Sequence, residues 1–408
     1  SVCRAYGVER LHFGPDYLIP KPFDPRVLLW EAVAVAEAAM KSGVARRPIP
    51  LDKYRDQLEA RLGKAHEIAH MMIQKAQARP KDVVFPEGEH EKILRTAYNL
   101  IEEKIATPIL LGNPAVIEGQ AKELGLDLAG VKIVDPLTSS LREPYIQELF
   151  RIRQRRGVTL REARVLMKDH NVFGSMMVRM GEADALVSGV SQHFPDTIRP
   201  ALQIIGTREG LRRVSGCYLM ITRSGKLFLL ADPSVNIDPT AEDLVEIALC
   251  AAQTARRFDL TPRVALLSFS TFGSTPHPQC VKVRKAVELL HKADPTLIVD
   301  GEVTADVAVS AETLEKDYPF STLKGGANVL IFPDLTSANI AYKLLSKLGG
   351  GQTLGPILMG MNKPVHVVLR DTEVEEIVNV VALAVVDAQE NDLMSWSPAP
   401  KPMELVGE

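Results

Sequence analysis

The sequence predicts an α/β protein whose sheets are mostly parallel. Short apolar and β-branched runs recur along the chain, and amphipathic helical stretches separate them. This alternation is typical of βαβ units, in which a helix connects two parallel strands. The chain has 408 residues, a length that fits two to three domains of ordinary size.

Composition narrows the classes of protein further. Hydrophobic residues make up 46% and charged residues 24% of the chain, which is ordinary for a soluble globular protein. The net charge of −3 gives no reason to expect a nucleic acid or an anionic membrane as partner. No uncharged apolar run is long enough for a transmembrane helix, and the first residues lack a signal-peptide pattern.

The cysteines lie far apart and form no CxxC pair, which favours reduced thiols in a cytoplasmic protein over a zinc site. They are Cys3, Cys217, Cys250 and Cys280.

The first part of the chain predicts an extended stretch followed by helices. Tyr17 to Pro25 is punctuated by proline, and Arg26 to Lys41 is an alanine-rich helical pattern closed by Gly43. A linker is expected near Arg46 to Asp52, and an amphipathic helix from Leu58 to Ala78.

Two sets of strands follow. The first is predicted at residues 83–85, 108–111, 131–134 and 184–188. The second is predicted at residues 219–222, 227–230, 264–268, 297–299 and 329–332, and residues 365–368 begin a last unit. Ser224-Gly225 is a hairpin signal between two runs, so an antiparallel edge is expected in the second sheet.

Three segments near the C-terminus carry a family resemblance. They read VDGEVTADVA, GGANVLIFPDLTSANIAYKL and KPVHVVLRDTEVEEIVNVVA, and they closely resemble the C-terminal half of phosphate acetyltransferases (phosphotransacetylases). The family's last segment reads approximately KPVNDLSRGCSVEDIVNV, with a Ser-Arg pair and a downstream Asp at the catalytic centre. Here those positions hold Leu369, Arg370 and Glu376. The resemblance therefore implies a site that binds a coenzyme A (CoA) thioester and keeps the arginine but has lost the catalytic serine and aspartate.

The resemblance also implies a domain layout. The family fold, which is like that of isocitrate and isopropylmalate dehydrogenases, has two α/β domains, the second inserted in the first, with the active cleft between them. This places the first domain at residues 66–209 plus 358–391 and the inserted domain at 210–357. Residues 392–408, which are rich in proline, are expected to form a flexible tail.

The N-terminal segment carries a second resemblance. Its sequence YGVERLHFGPDYLIPKPFDPRVLLWEAVAVAEAAMKSGVARRPI resembles the end of the malic enzyme domain in large bacterial hybrid malic enzymes. There, a malic enzyme domain precedes a phosphotransacetylase-like domain. Residues 1–46 would then be the last segment of the malic enzyme domain, and residues 47–65 a linker and lead-in helix.

Three arginines match family positions. Arg153 lies in FRIRQRRG, where the family has YELRKHKG, and Arg199 lies in FPDTIRPALQII, where it has TTADTVRPALQI. With Arg370 they would converge, by resemblance, on one cleft. Guanidinium groups suit phosphate oxygens because they can form paired hydrogen bonds. The alternative for each is an ordinary surface salt bridge.

The loop Ser268 to Ser274, SFSTFGS, follows an apolar strand and precedes a helix. Such a loop can present backbone N–H groups to an anion, which makes Ser268 and Thr271 candidate ligand contacts. An ordinary capped turn is the alternative. Phe272 departs from the family, which has a basic or small residue there.

The segment after residue 332 supplies the last candidates. Asp334 follows a buried strand, and Asn339 and Lys343 lie four apart on one helix face. The resemblance places CoA contacts here, with Lys343 near the phosphates. Without it, a lysine on a helix face is usually solvated.

Two motifs compete with this interpretation. His66 to His70 satisfies HExxH, and a third zinc ligand could come from Glu87, Glu89 or His90. The motif is short and lies on the lead-in helix, so we expect no metal site. Gly349 to Gly355 is glycine-rich but follows a helix, and no GxGxxG occurs. NADP and a divalent metal (Mg or Mn) are therefore expected only in a malic enzyme domain outside these residues.

The resemblances imply a regulatory acetyl-CoA-binding domain of an NADP-dependent malic enzyme, which converts malate to pyruvate. An active phosphate acetyltransferase, making acetyl phosphate from acetyl-CoA and phosphate, is the first alternative. A purely structural oligomerisation module is the second. The expected partners are acetyl-CoA, a malic enzyme domain of the same chain, and a second copy, with a hexamer for the longer protein.

Overall fold

The structure is a computed structural model that describes residues 25–61 and 64–394. The chain divides into two compact units, with the boundary between Met71 and Met72. The first unit contains helices α1 (Pro25–Lys41) and α2 (Leu51–Arg61), which contact each other, and the start of α3 (Lys64–Ala78).

The predicted helix over residues 26–41 is confirmed, and Gly43 after it has a φ of +77°. The extended stretch predicted for residues 17–25 lies outside the described residues up to Pro25, which begins α1. The described residues of the helix predicted over 58–78 are helical, in α2 as far as Arg61 and in α3 from Lys64 to Ala78, but α2 already begins at Leu51. The helix pattern of α2 is mostly polar, so apolar periodicity did not reveal its start.

The first sheet has five parallel strands in the order β11-β4-β1-β2-β3. The strands are β1 (Asp82–Phe85), β2 (Thr107–Leu111), β3 (Lys132–Val134), β4 (Ala185–Ser188) and β11 (Val365–Val367). Its helices are α4 (Glu91–Glu102), α5 (Pro114–Glu123), α6 (Arg142–Arg153), α7 (Leu160–Leu166), α8 (His170–Met180), α9 (Phe194–Ile204) and α15 (Val374–Met394).

The second sheet has six strands in the order β10-β5-β6-β9-β7-β8. The strands are β5 (Ser215–Ile221), β6 (Leu227–Ala231), β7 (Arg263–Leu267), β8 (Ile298–Val303), β9 (Val329–Ile331) and β10 (Gln352–Met359). Its helices are α10 (Ala241–Arg257), α11 (Pro278–Ala293), α12 (Ala305–Val309), α13 (Ala311–Asp317) and α14 (Leu335–Lys347).

This topology confirms that a second α/β domain is inserted in the first. All strands of the second sheet lie in sequence between β4 and β11 of the first sheet. The predicted boundary at residue 357 falls inside β10, which pairs with β5 as far as Met359 opposite Ser215.

The predicted hairpin is also confirmed, since β5 pairs antiparallel with β6. The edge strand, however, is β10, and β5 lies second from the edge. Local turn signals could not reveal this order, because the pairing of β10 with β5 joins residues far apart in sequence.

The core of the first domain lies between its sheet and the helices α6, α8 and α9. Tyr145 on α6 packs against Phe173 on α8, with ring centroids 5.2 Å apart. A second apolar cluster fills one face of the inserted domain. None of the described helices is long and apolar enough to cross a membrane. These cores fix the carboxyl ends of the parallel strands, where α/β proteins usually bind ligands.

Candidate active-site cleft

The loop after β4 is held by one carboxylate. Glu87, just after β1, accepts hydrogen bonds from the N–H groups of Gly189 (2.7 Å), Val190 (3.0 Å) and Ser191 (2.7 Å). The hydroxyl groups of Ser188 and Ser191 donate to the same carboxylate. Three consecutive amides on one anion form a rigid nest. The chain leading into α9 is therefore fixed in place.

The loop after β11 lies against the β4 loop. The Val368 N–H donates to the Ser188 carbonyl at 2.9 Å. A Cβ atom on Gly189, whose φ is +128°, would lie 2.2 Å from the Val368 carbonyl oxygen. From α4, Lys92 donates to the Thr372 carbonyl at 2.8 Å. These contacts bring the segment of Leu369 and Arg370 beside the start of α9.

Leu369 and Glu376 occupy the two positions at which the family pattern has Ser and Asp. The Leu369 side chain is 41% exposed, and its N–H donates to the Thr372 hydroxyl at 2.9 Å. The Glu376 carboxylate accepts from the Glu373 N–H at 3.0 Å, at the start of α15. Glu376 therefore caps its own helix, and Leu369 offers no hydroxyl to a reacting group.

The three predicted arginines are not joined by any contact among the described residues. Arg370 is exposed in the β11 loop, and Arg199 lies on α9, where its Nη1 is 3.7 Å from Asp196 Oδ1. This ion pair between two exposed side chains of one helical turn contributes little stability. Arg153 is the last residue of α6, about 17 Å along the helix from its first residue. Arg370 and the start of α9 thus share one edge of the sheet, whereas Arg153 ends a helix that follows β3.

The Ser268–Ser274 loop of the inserted domain is held by a second buried carboxylate. Glu302 is fully buried, and its Oε1 accepts from the Ser270 hydroxyl (3.0 Å) and the Gly273 N–H (2.9 Å). Its Oε2 lies 3.0 Å from Arg284 Nε, a charge contact without the alignment of a linear hydrogen bond. The loop is therefore organised around an ion pair.

The two candidate ligand contacts of this loop already have partners within the protein. The Thr271 hydroxyl lies 3.1 Å from the Thr304 hydroxyl. The Ser268 hydroxyl lies 3.5 Å from the sulfur of Cys280. The Thr271 hydroxyl also accepts from the Thr304 N–H at 3.2 Å, so the Ser268 hydroxyl has more capacity left for a ligand.

Two of the three predicted ligand residues of helix α14 already have partners within the protein. The Asp334 carboxylate accepts from the Ser337 N–H at 2.8 Å and caps the helix. The Asn339 side-chain amide donates to the Pro233 carbonyl at 3.0 Å. Lys343 is exposed, and no described residue forms an ion pair with it. Of the three predicted ligand residues on this helix, Lys343 is therefore the one left for an anionic ligand.

A buried charge network connects the two domains. Asp387 on α15 lies 2.8 Å from His366 Nε2 on β11 and 2.6 Å from Arg257 Nη1 on α10. Arg257 also donates to Glu390 at 2.7 Å. Burial alone would raise the pKa of Asp387, but Arg257 and His366 outweigh this and hold the pKa below its usual value.

Sequence reasoning missed this network, although it had a signal. Asp387 directly follows the apolar run VVALAVV on α15, and a charge at the end of such a buried run needs a buried partner. The network adjoins a cavity of about 30 Å³, which has room for water but not for a nucleotide.

The HExxH residues His66 and His70 lie on α3. Among the described residues, no group of three or more His, Cys, Asp and Glu side chains is placed to hold a metal ion. Two of the residues considered as a third ligand have other roles: Glu87 holds the β4 loop, and His90 caps α4.

Comparison with known proteins shows the family. The family model described as phosphate acetyl/butaryl transferase matches residues 67–385. The phosphate acetyltransferase of Bacillus subtilis is 42% identical over 316 residues, covering 77% of this chain and 97% of that protein.

The chain is also similar to longer proteins. The NADP-dependent malic enzyme of Escherichia coli is 43% identical over 398 residues, which cover 96% of this chain and 52% of that enzyme. The chain thus spans about half the length of the malic enzymes that it matches.

Solved structures agree with the sequence comparisons. A phosphotransacetylase from Streptococcus pyogenes has a TM-score of 0.77 and 38% identity, covering 79% of this chain and 98% of that one. The EutD phosphotransacetylase from Staphylococcus aureus has a TM-score of 0.73 and 36% identity, covering 80% and 99%. The chain therefore belongs to the phosphate acetyl/butaryl transferase family.

Proposed function

We propose that this chain binds acetyl-CoA as a regulatory ligand and transfers its acetyl group to phosphate poorly or not at all. The observation that carries the proposal is Leu369, which stands at the serine position of an otherwise well-ordered family loop. The exposed isobutyl group cannot donate a hydrogen bond to a transition state. Losing one such donor costs roughly 10²–10³ in rate.

Charge supports the binding half of the proposal. CoA carries several negative charges on its 3′-phosphate and pyrophosphate, whereas the whole protein has a net charge of −3. A local set of cations must compensate the ligand. Lys343, Arg199 and Arg370 are exposed cations that the fold does not bury, and Arg153 is a fourth candidate.

Isothermal titration calorimetry with acetyl-CoA tests the site. Each charge-assisted hydrogen bond contributes about 1.5–3 kcal/mol, so Arg199→Ala and Lys343→Ala should each weaken binding by about tenfold or more. Lys122→Ala, an exposed lysine on α5, is the matched control and should bind normally. Unchanged affinity in both site variants would show that the site is elsewhere.

A working phosphate acetyltransferase is the second candidate function. It is favoured by the 42% identity to the Bacillus subtilis enzyme over nearly the whole of that protein. An assay of acetyl phosphate formation from acetyl-CoA and phosphate decides between the two. A turnover rate within tenfold of the Bacillus subtilis enzyme would favour this second function.

The similarity to NADP-dependent malic enzymes suggests what the ligand regulates. In a longer protein of that kind, this domain would convey the acetyl-CoA concentration to a cytoplasmic malic enzyme domain that holds NADP and a divalent metal. Feedback inhibition is the expected direction, since pyruvate from malate supplies acetyl-CoA. Coupling requires acetyl-CoA to bind one arrangement of the assembly more tightly than another.

We also propose that the inserted domain forms a two-fold dimer. Ile340, Leu344 and Leu348, on or just after α14, are exposed at helical spacing and make an apolar stripe. A second copy of the chain can cover the stripe in a self-complementary way, and dimers of the longer protein could then build a hexamer. Lys343 lies at the border of the stripe.

Light scattering tests the dimer. Leu344→Asp should give a monomer at micromolar concentration, because it buries a charge in the apolar contact. Val165→Asp, at an equally exposed valine on α7, is the control. A wild-type monomer would rule the dimer out. A dimer that does not bind acetyl-CoA would instead favour a structural oligomerisation module.

A further inference from the structure

An aromatic cluster with one exposed ring includes Phe272 of the Ser268–Ser274 loop. It consists of Phe272, Tyr318 and Phe320, whose ring centroids are 5.3 Å (272 to 318), 5.0 Å (272 to 320) and 6.1 Å (318 to 320) apart. Phe320 is 68% exposed. Phe272 and Tyr318 are half-buried and pack against the apolar cluster of the inserted domain, so they hold the exposed Phe320 ring from below. An exposed ring supported in this way marks a binding site more often than an isolated apolar residue does.

The backbone of Phe272 is held in an unusual conformation. Its φ is +47°, a region that bulky residues rarely adopt. The Phe272 N–H donates to the Glu302 carbonyl at 2.8 Å, and Gly273 follows with a φ of +90°. A glycine at position 272 would fit this backbone without strain. A phenylalanine in a strained position next to a candidate site suggests that its ring has a function.

Polar groups border the aromatic cluster. The Nη1 atom of Arg284 is 3.7 Å from where a Cβ atom of Gly273 would lie, and about 40% of the Arg284 side chain is exposed. The paired hydroxyls of Thr271 and Thr304 lie on the residue before Phe272 and at the end of β8. Flat aromatic faces beside a guanidinium group and hydroxyls are the chemistry that recognises a nucleotide: the base stacks, and the cation meets phosphate.

We propose that the aromatic cluster is the platform on which the purine base of a CoA thioester stacks. This inference rests on the proposed function, which supplies the ligand. The inference names the part of this ligand that the inserted domain would bind, which is the adenine. The cationic residues considered above would meet the phosphates, and the cluster would meet the adenine ring.

Calorimetry with two ligands tests the platform. Stacking of one base on an aromatic side chain is worth about tenfold in affinity, so Phe320→Ala should weaken acetyl-CoA binding by about that factor. The same variant should bind S-acetyl-4′-phosphopantetheine, which lacks the adenosine, as the wild type does. Phe320→Trp should restore acetyl-CoA affinity. Trp30→Ala removes an exposed ring on α1, outside the candidate binding loop, and it should have no effect.

The outcomes separate the two proposals. If the wild type binds acetyl-CoA and Phe320→Ala binds it equally well, the platform is wrong and the regulatory function stands. If the wild type binds neither acetyl-CoA nor adenosine 3′,5′-bisphosphate, both proposals fail. If Phe320→Ala changes the oligomeric state by light scattering and leaves affinity unchanged, the cluster is a protein interface and the platform is again wrong.

Discussion

Leu369 places an isobutyl group where the family pattern has a serine hydroxyl, and Glu376 extends the acceptor of the pattern by one methylene. The surrounding backbone is well held, since the Leu369 N–H and carbonyl both bond within the same turn. The proposed loss of acetyl transfer therefore rests on these two side chains and not on a loosely held loop.

Restoring those side chains should restore some activity. Leu369→Ser combined with Glu376→Asp should raise acetyl phosphate formation above that of the unaltered protein, by up to about 10²-fold. A coupled assay of acetyl phosphate measures this, with Leu369→Ala as the control that removes bulk without adding a hydroxyl. Equal rates for Ser and Ala at position 369 would mean that other departures from the family pattern, such as Val367, Val368 and Phe272, limit the reaction.

Asp387 gives the clearest electrostatic prediction. Removing one partner of a buried ion pair leaves the other charge uncompensated, so Asp387→Asn should lower the free energy of unfolding by about 3–5 kcal/mol at neutral pH. Urea denaturation measures this. Asp317→Asn, at an exposed position on α13, should change it by less than about 0.5 kcal/mol.

The pH dependence has a definite sign. The folded pKa of Asp387 is below its unfolded value of about 3.9. Its stabilising contribution is therefore fully present above about pH 4 and is lost as the pH falls through the folded pKa. The wild type should lose stability with acidification in that window, and Asp387→Asn should show a smaller slope there. Parallel slopes would contradict the assignment.

At the scale of elements, the contact between the β4 and β11 loops depends on a glycine. Any Cβ atom on Gly189 would overlap the Val368 carbonyl, and its φ is unfavourable for other residues. Gly189→Ala should therefore destabilise the fold by more than about 1 kcal/mol and weaken acetyl-CoA binding, because the start of α9 would shift.

Gly119 on α5 provides the matched control. Nothing lies within 4 Å of a Cβ atom added there, and it sits inside a helix. Gly119→Ala should stabilise the protein by about 0.5–1 kcal/mol without changing acetyl-CoA affinity. Opposite signs for the two glycines in thermal unfolding would support this account, and equal effects would not.

For the whole molecule, regulation requires that acetyl-CoA bound to this domain change the activity of the malic enzyme domain. In a full-length protein of the malic enzyme kind, Arg199→Ala should relieve inhibition by acetyl-CoA by about tenfold, while malate turnover without acetyl-CoA stays unchanged. NADPH formation across an acetyl-CoA titration measures this. A loss of turnover in the absence of acetyl-CoA would mean that Arg199 serves assembly or catalysis instead.

The sequence by itself determined the α/β class, most of the strands and the family. Apolar runs and helical periodicity are local, and the segments around Leu369 and Arg370 are long enough to identify the family. The match of Leu369 to the serine of the family pattern also comes from the sequence alone, and it stays a prediction.

The tertiary structure decided how side chains are used. Asp334 and Asn339 form hydrogen bonds with the backbone of the protein itself. Strand β10 forms one edge of the second sheet. Glu87 and Asp387 organise loops and domains through partners that are far away in sequence. No local pattern encodes such partners, because long-range contacts depend on how the two sheets and their helices pack together.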